Sequence, residues 1–353
     1  MSIVIAILFF CVIILLHEFG HFIAAKACGI YVKEFALGMG PALLRKKGKE
    51  TEYVLRAFPV GGFCAFEGED GGATEEEAAD NPRAFNARPV WQRMIVIIAG
   101  PVMNLILGFI AVVIMMCSME VLPSTTIHSF EQQSVSNAYL MPGDEIISID
   151  GLPIFTDSDI SYKLQTSDRR NEKGNLIFDF KVKRGGEVIT ILDVEFMTME
   201  HEDGSTGVYF DFIILGQEKT FGTVITQSWR ESCSTARIIL MTLIDMIRGK
   251  YGLNDLSGPI GMGEVITEAV RSYSFSQVMY IVALITINVG VFNLLPIPAL
   301  DGARFIFLLV ELIRRKPVKP EVEGTIHSVG MMLMLLFMVV VTFNDIRKLF
   351  TGG

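Results

Sequence analysis

His17-Glu18-Phe19-Gly20-His21 carries two imidazoles four residues apart with a carboxylate between them. On a helix that spacing puts both rings on one face, where each can give a nitrogen to a single metal ion. Glu18 then stands beside them as the base for a metal-activated water. The motif follows the uncharged apolar run 3–16 and leads into Phe22-Ile23-Ala24-Ala25. An ionisable group deep in a membrane helix costs about 2.5–3.5 kcal/mol on insertion scales, so it calls for a partner or a function. A catalytic zinc takes three protein ligands and keeps one position open, so a third ligand must come from elsewhere. The candidate is Asp301, in the stretch 293–302, where Pro296 and Pro298 break an apolar helix and let the chain aim the carboxylate inward. His128, His201 and His327 lack such spacing and read as structural or surface histidines.

The elements that must hold these groups are membrane helices. The chain has 353 residues, is 51% hydrophobic and has a mean hydropathy of +0.46. Four apolar segments approach the roughly 20 residues that span a bilayer, which gives spans at 1–25, 94–119, 275–302 and 326–350. Basic residues gather in the connections 26–93 and 303–325, and none precedes the first span. The positive-inside rule therefore puts both connections in the cytoplasm and both termini outside. His17 and His21 then lie near the cytoplasmic end of the first span and Asp301 near that of the third, at similar depth. The start is read as a mature helix, since it lacks the basic n-region of a signal peptide. A net charge of −9 gives no sign of a nucleic-acid partner. The five cysteines are scattered, with no CxxC pair, and read as packing residues.

The cytoplasmic connection is too apolar for a solvated linker. From 31 to 67 it is β-like and punctuated by Gly38, Gly40, Gly61 and Gly62, with a turn at Lys46-Lys47-Gly48-Lys49. Backbone of this kind approaches membrane depth only when buried in protein or lining a wet cavity. A membrane-reentrant β-hairpin at the metal site would offer an edge to an extended peptide. The acidic stretch 67–80 reads as a solvated loop. Residues 123–215 have short alternating strands and turns, as in a soluble extracytoplasmic domain. Beyond them, 222–274 opens with Trp229, Cys233, Ala236, Leu240, Leu243, Ile244 and Ile247 at helical steps. That pattern suits a helix lying on the membrane surface, and equally one packed on the soluble domain.

With these residues together, the chain resembles the site-2 protease family of intramembrane zinc metalloproteases, most closely the bacterial regulator-of-sigma-E group with one PDZ domain. The resemblance covers nearly the whole chain. It rests on His17–His21, Gly38-Met39-Gly40-Pro41, Phe85-Asn86-Ala87-Arg88-Pro89 running toward Ala99-Gly100-Pro101-Val102-Met103-Asn104, and Asn288–Asn293 running toward Leu300-Asp301-Gly302. Met141-Pro142-Gly143-Asp144-Glu145-Ile146 looks like a PDZ signature. Met39 departs from the aromatic residue often found between the two glycines.

The resemblance implies a polytopic α-helical protein of a bacterial plasma membrane, with four transmembrane helices, a reentrant hairpin and an inserted extracytoplasmic PDZ-like α+β domain. It implies Zn2+ on His17, His21 and Asp301 and Glu18 as catalytic base. Asn288 and Asn293 would seat the substrate backbone or oxyanion, and Asn104 would pack or position substrate. Implied substrates are single-span membrane proteins such as anti-sigma factors, trimmed beforehand by a site-1 protease. A client-holding scaffold and an ion transporter could share the intramembrane charges. The retained Glu18 argues against the scaffold, and the lack of an internal repeat against the transporter.

Overall fold

A computed structural model describes residues 2–69, 81–200, 206–250 and 275–351. Most of the acidic stretch 67–80 and the C-terminal part of the 222–274 region lie outside the described residues. The chain divides into two compact units, one made of residues 1–110 with 245–352 and the other centred on 111–244.

Four helices of the described residues are long and apolar enough to cross a membrane, by length and composition. They are α1 (Ser2–Ala27), α2 (Val90–Ser118), α5 (Phe275–Leu294) and α7 (Pro320–Thr351). The helix at 275 stops at Leu294. Pro296 and Pro298 have no N–H to give, and a separate helix, α6 (Asp301–Arg314), begins at the aspartate itself. Asp301 therefore sits in the first turn of a new helix rather than at the end of a span.

Small residues let the helices of this unit approach closely. A Cβ on Gly20 would fall 2.4 Å from the Ala99 carbonyl oxygen, and one on Gly108 2.4 Å from Ile287. Ile13 and Ile285 join α1 to α5 with Phe9, Phe10, Ile281 and Val289 around them. Arg93 at the start of α2 donates to both oxygens of Glu311 on α6, at 3.0 and 2.5 Å.

Strands β1 (Val32–Lys47) and β2 (Glu52–Phe66) form an antiparallel pair around the turn where the Gly48 N–H donates to the Thr51 carbonyl. The ribbon is not a simple hairpin. Phe35 pairs with both Cys64 and Tyr53, and Leu37 with both Gly62 and Leu55, while Leu44–Lys47 pair with residues 52–55. Each strand is thus bent, and four short segments lie side by side in the order 44–47, 52–55, 32–37, 62–66. Gly38, Gly40 and Gly61, with φ of 85°, 84° and 84°, supply the left-handed backbone for the bends. Ala25, Ile30, Val32, Cys64, Phe66, Phe85, Val96, Ile97 and Leu308 bury the base of the ribbon against α1, α2 and α6.

The second unit holds a six-stranded antiparallel sheet. Its order is β10 (Phe212–Gln217), β3 (Leu122–Phe130), β4 (Glu145–Ile149), β6 (Leu176–Arg184) and β7 (Glu187–Phe196), with β5 (Leu152–Pro153) paired to β4. Phe178, Phe180, Phe196, Ile146, Ile149 and Leu164 fill its core, the last from helix α3 (Asp157–Thr166). Arg184 makes two 2.7 Å bonds to the fully buried Asp144 carboxylate. Strands β8 (Thr198–Glu200) and β9 (Thr206–Val208) form a small separate ribbon.

Helix α4 (Phe221–Ile247) packs with its polar face inward. Gln227, Ser228, Glu231, Ser234 and Thr235 are buried, whereas Phe221, Trp229, Leu240, Ile244 and Ile247 are exposed. The Gln227 amide donates to the Pro123 carbonyl, Ser158 donates to Glu231 at 2.6 Å, and Arg237 pairs with Asp159 at 2.6 Å. Burial raises the Glu231 carboxyl to about 7, a rise that the Ser158 hydroxyl opposes. The packed helix thus holds a proton where the unfolded chain has released it. Stability falls as pH rises from the ordinary value of 4.5 to about 7, then levels off. Glu231→Gln is expected to remove this loss, on the order of 1–3 kcal/mol. Limited proteolysis of α4 should match wild type at about pH 5 and be several-fold slower in the variant at about pH 8. Equal rates at both would refute the buried-carboxyl argument.

Candidate metal centre

The i, i+4 spacing on α1 puts His17 and His21 on one face, with ring centroids 4.9 Å apart. The Asp301 Oδ2 atom lies 3.1 Å from His17 Nε2 and 3.4 Å from His21 Nε2. The two Nε2 atoms are 3.3 Å apart. Among the described residues, His17, His21 and Asp301 alone form such a convergence of possible ligand atoms. Both histidines are buried.

The far side of each ring decides what the near side can do. His21 Nδ1 donates to the Val96 carbonyl at 2.8 Å, which fixes the proton there and leaves Nε2 a lone pair. His17 Nδ1 lies 3.2 Å from the amide of Asn104, a residue with no exposed surface. Turned with its oxygen to the ring, that amide accepts the Nδ1 proton, which also satisfies its otherwise unpartnered Oδ1. Both rings then point bare Nε2 atoms at Asp301 Oδ2, itself buried without a hydrogen-bond partner. A shared cation would satisfy all three converging acceptors at once. Two imidazole nitrogens and one carboxylate oxygen are a zinc donor set.

Around the triplet the backbone comes very close. A Cβ on Gly100 would fall 2.2 Å from His21 Nε2, so α2 cradles the ring where a glycine stands. Gly62 meets Glu18 from the ribbon, since a Cβ there would be 3.1 Å from Glu18 Cγ and 3.0 Å from the Ala36 oxygen. Arg304, one turn beyond Asp301, is ion-paired with Glu69 at the exit of the ribbon. Asn104 and Gly62 thus lie at the centre. Asn293 instead donates to the Val289 carbonyl of its own helix at 3.0 Å, and Asn288 is half-buried on α5. Gly38, Gly40 and Gly61 pack on Phe58 and Met39 within the ribbon.

Gly100 stood in a motif of the sequence, but its contact with the His21 ring, like that of the Val96 carbonyl, was not legible there, because a glycine in an apolar run signals no particular contact. His327 read as a structural or surface histidine, and its partner was not legible. On α7 its Nδ1 accepts the Ala299 N–H at 2.9 Å, two residues before Asp301.

An HExxH helix with an aspartate against both histidines, set among four membrane-type helices, is the arrangement expected of a membrane-embedded zinc metallopeptidase. Residues 5–337 match the profile of peptidase family M50, and the chain belongs to that family, the site-2 proteases. It is 34% identical over 348 residues to a putative zinc metalloprotease of Clostridium acetobutylicum, covering 98% of this chain and 97% of that one. A zinc metalloprotease RasP of Shouchella clausii is 31% identical, covering 97% and 98% of the two chains. The regulator of sigma-W protease RasP of Bacillus subtilis is 27% identical, with 98% of each covered. The chain is a zinc metalloprotease with Zn2+ as its cofactor and a multi-pass bacterial membrane protein.

Proposed function

We propose that this metalloprotease hydrolyses a peptide bond inside the transmembrane segment of single-span membrane proteins, with His17, His21 and Asp301 as metal ligands and Glu18 as general base. The observation that carries the reading is the convergence of His17, His21 and Asp301, with Glu18 beside them, on membrane-type helices next to a glycine-bearing strand. When bound, zinc supplies Lewis acidity, which polarises the scissile carbonyl and makes a water acidic near neutral pH. Glu18 would take the proton of the attacking water and hand it to the leaving amine. Asn104 holds the His17 tautomer, and Asn288 and Asn293 help seat the substrate backbone or the oxyanion.

A helical substrate hides its carbonyls in its own hydrogen bonds and must unwind before attack. Among the described residues, segment 62–66 pairs with β1 on one side only, next to Glu18. An extended substrate adding there regains the backbone bonds it gave up, a need that is acute in lipid. Gly62 brings that edge against Glu18, and Gly38, Gly40 and Gly61 make the bends that present it to a substrate backbone.

The ribbon is reentrant from the cytoplasmic side in this reading, and both termini and the PDZ-like domain at 123–215 are extracytoplasmic. The exposed apolar face of α4 meets the bilayer surface. The name of the Bacillus subtilis relative points to sigma-factor control. Anti-sigma-factor-like proteins already trimmed by a site-1 protease are the substrates proposed here. Purified enzyme is expected to cut a trimmed single-span substrate within its span, faster when the span carries helix-breaking residues. Chelation should stop the reaction and zinc restore it. Cuts confined to residues outside the span would overturn the intramembrane reading.

A further inference from the structure

The loop joining α5 to α6 has four N–H groups, at Leu295, Ile297, Ala299 and Leu300, because Pro296 and Pro298 have none. Three of them close on nearby carbonyls: Leu295 on Phe292, Ile297 on Leu295, and Leu300 on Ile297. The fourth, from Ala299, leaves the loop altogether and reaches His327 Nδ1 on α7 at 2.9 Å. Ala299 is held at φ 74°, a left-handed conformation that a residue with a Cβ adopts only when its surroundings impose it.

The rest of the contact is built for the same purpose. Gly330, three residues on and so on the same face of α7, abuts Pro298, where a Cβ would fall 2.1 Å from the proline Cβ. Phe307 of α6 packs edge-on against the His327 ring at 5.6 Å. The ring is mostly buried, at 17% side-chain exposure. Accepting at Nδ1 places its proton on Nε2.

We infer that His327 is a positioning residue for the metal centre: by accepting the Ala299 N–H it sets the turn that aims Asp301 at His17 and His21. The inference rests on the proposed ligand set. It makes the fourth apolar helix part of the site without lending it a ligand, in the way hydrogen-bonding partners behind a metal ligand tune its grip.

The test compares His327→Asn, whose Oδ1 falls close to the position of Nδ1, with His327→Gln, whose amide lies too far along the side chain. Zinc retention against graded chelator is read beside peptide cleavage, with Asp301→Asn as control. His327→Gln is expected to lose zinc roughly 10–100-fold more readily than wild type, and His327→Asn to stay within about threefold of it. If both variants lose zinc alike, the ring serves as packing and the inference fails. If both retain zinc while Asp301→Asn releases it, the ligand set stands and the role of His327 falls. If Asp301→Asn itself retains zinc, the ligand assignment is what fails.

Discussion

Glu18→Gln is expected to lower peptide cleavage by roughly 10²–10⁴-fold while the protein keeps its zinc. Gln matches Glu in size, so the contact with Gly62 survives. The proposed ligand atoms belong to His17, His21 and Asp301, and none of them changes. What is lost is the ability to accept a proton from water and deliver it to the leaving nitrogen. Single-turnover cleavage with a metal assay on the same preparation separates the outcomes. Loss of cleavage with zinc retained assigns the proton transfer to Glu18. Residual activity within tenfold of wild type would place the base elsewhere, and loss of zinc would make Glu18 part of the binding set.

The convergence of His17, His21 and Asp301 was largely legible in the sequence because its two halves are local. An i, i+4 histidine pair is a property of one helix, and Pro296 and Pro298 announce a break whatever packs around them. The supports were not legible, because each depends on a partner distant in sequence. His327 shows no ligand spacing, since what it binds is a backbone N–H 28 residues away. The ribbon at 32–66 read as a hairpin, and its glycines were visible. That Phe35 and Leu37 would pair on both sides follows only once the bends at Gly38, Gly40 and Gly61 fold the strands back. Helix α4 shows the limit of periodicity. Its apolar stripe was visible, but a stripe does not say which face meets protein. The polar face does so here, because Ser158, Asp159 and the Pro123 carbonyl offer it partners.

Gly100→Ala should empty the proposed metal centre without replacing a ligand residue. The added methyl would fall 2.2 Å from His21 Nε2 and 2.6 Å from its Cε1, well inside any tolerable contact. The ring cannot simply swing aside, because its Nδ1 is tied to Val96 one turn earlier on the same helix as Gly100. Either that bond breaks and the tautomer is lost, or α2 backs away and takes Asn104 from His17. Both routes weaken zinc binding, by at least the roughly 10–100-fold expected when a ligand loses its supporting bond. Gly108→Ala gives the comparison. Its methyl would press on Ile287 at 2.4 Å, equally tight but away from the triplet. That variant should cost about 1–3 kcal/mol of stability through overpacking and still hold zinc in the folded fraction. Metal content and thermal unfolding of both proteins read the difference. Zinc retained by Gly100→Ala at wild-type affinity would mean that His21 does not present Nε2 to the metal from this position.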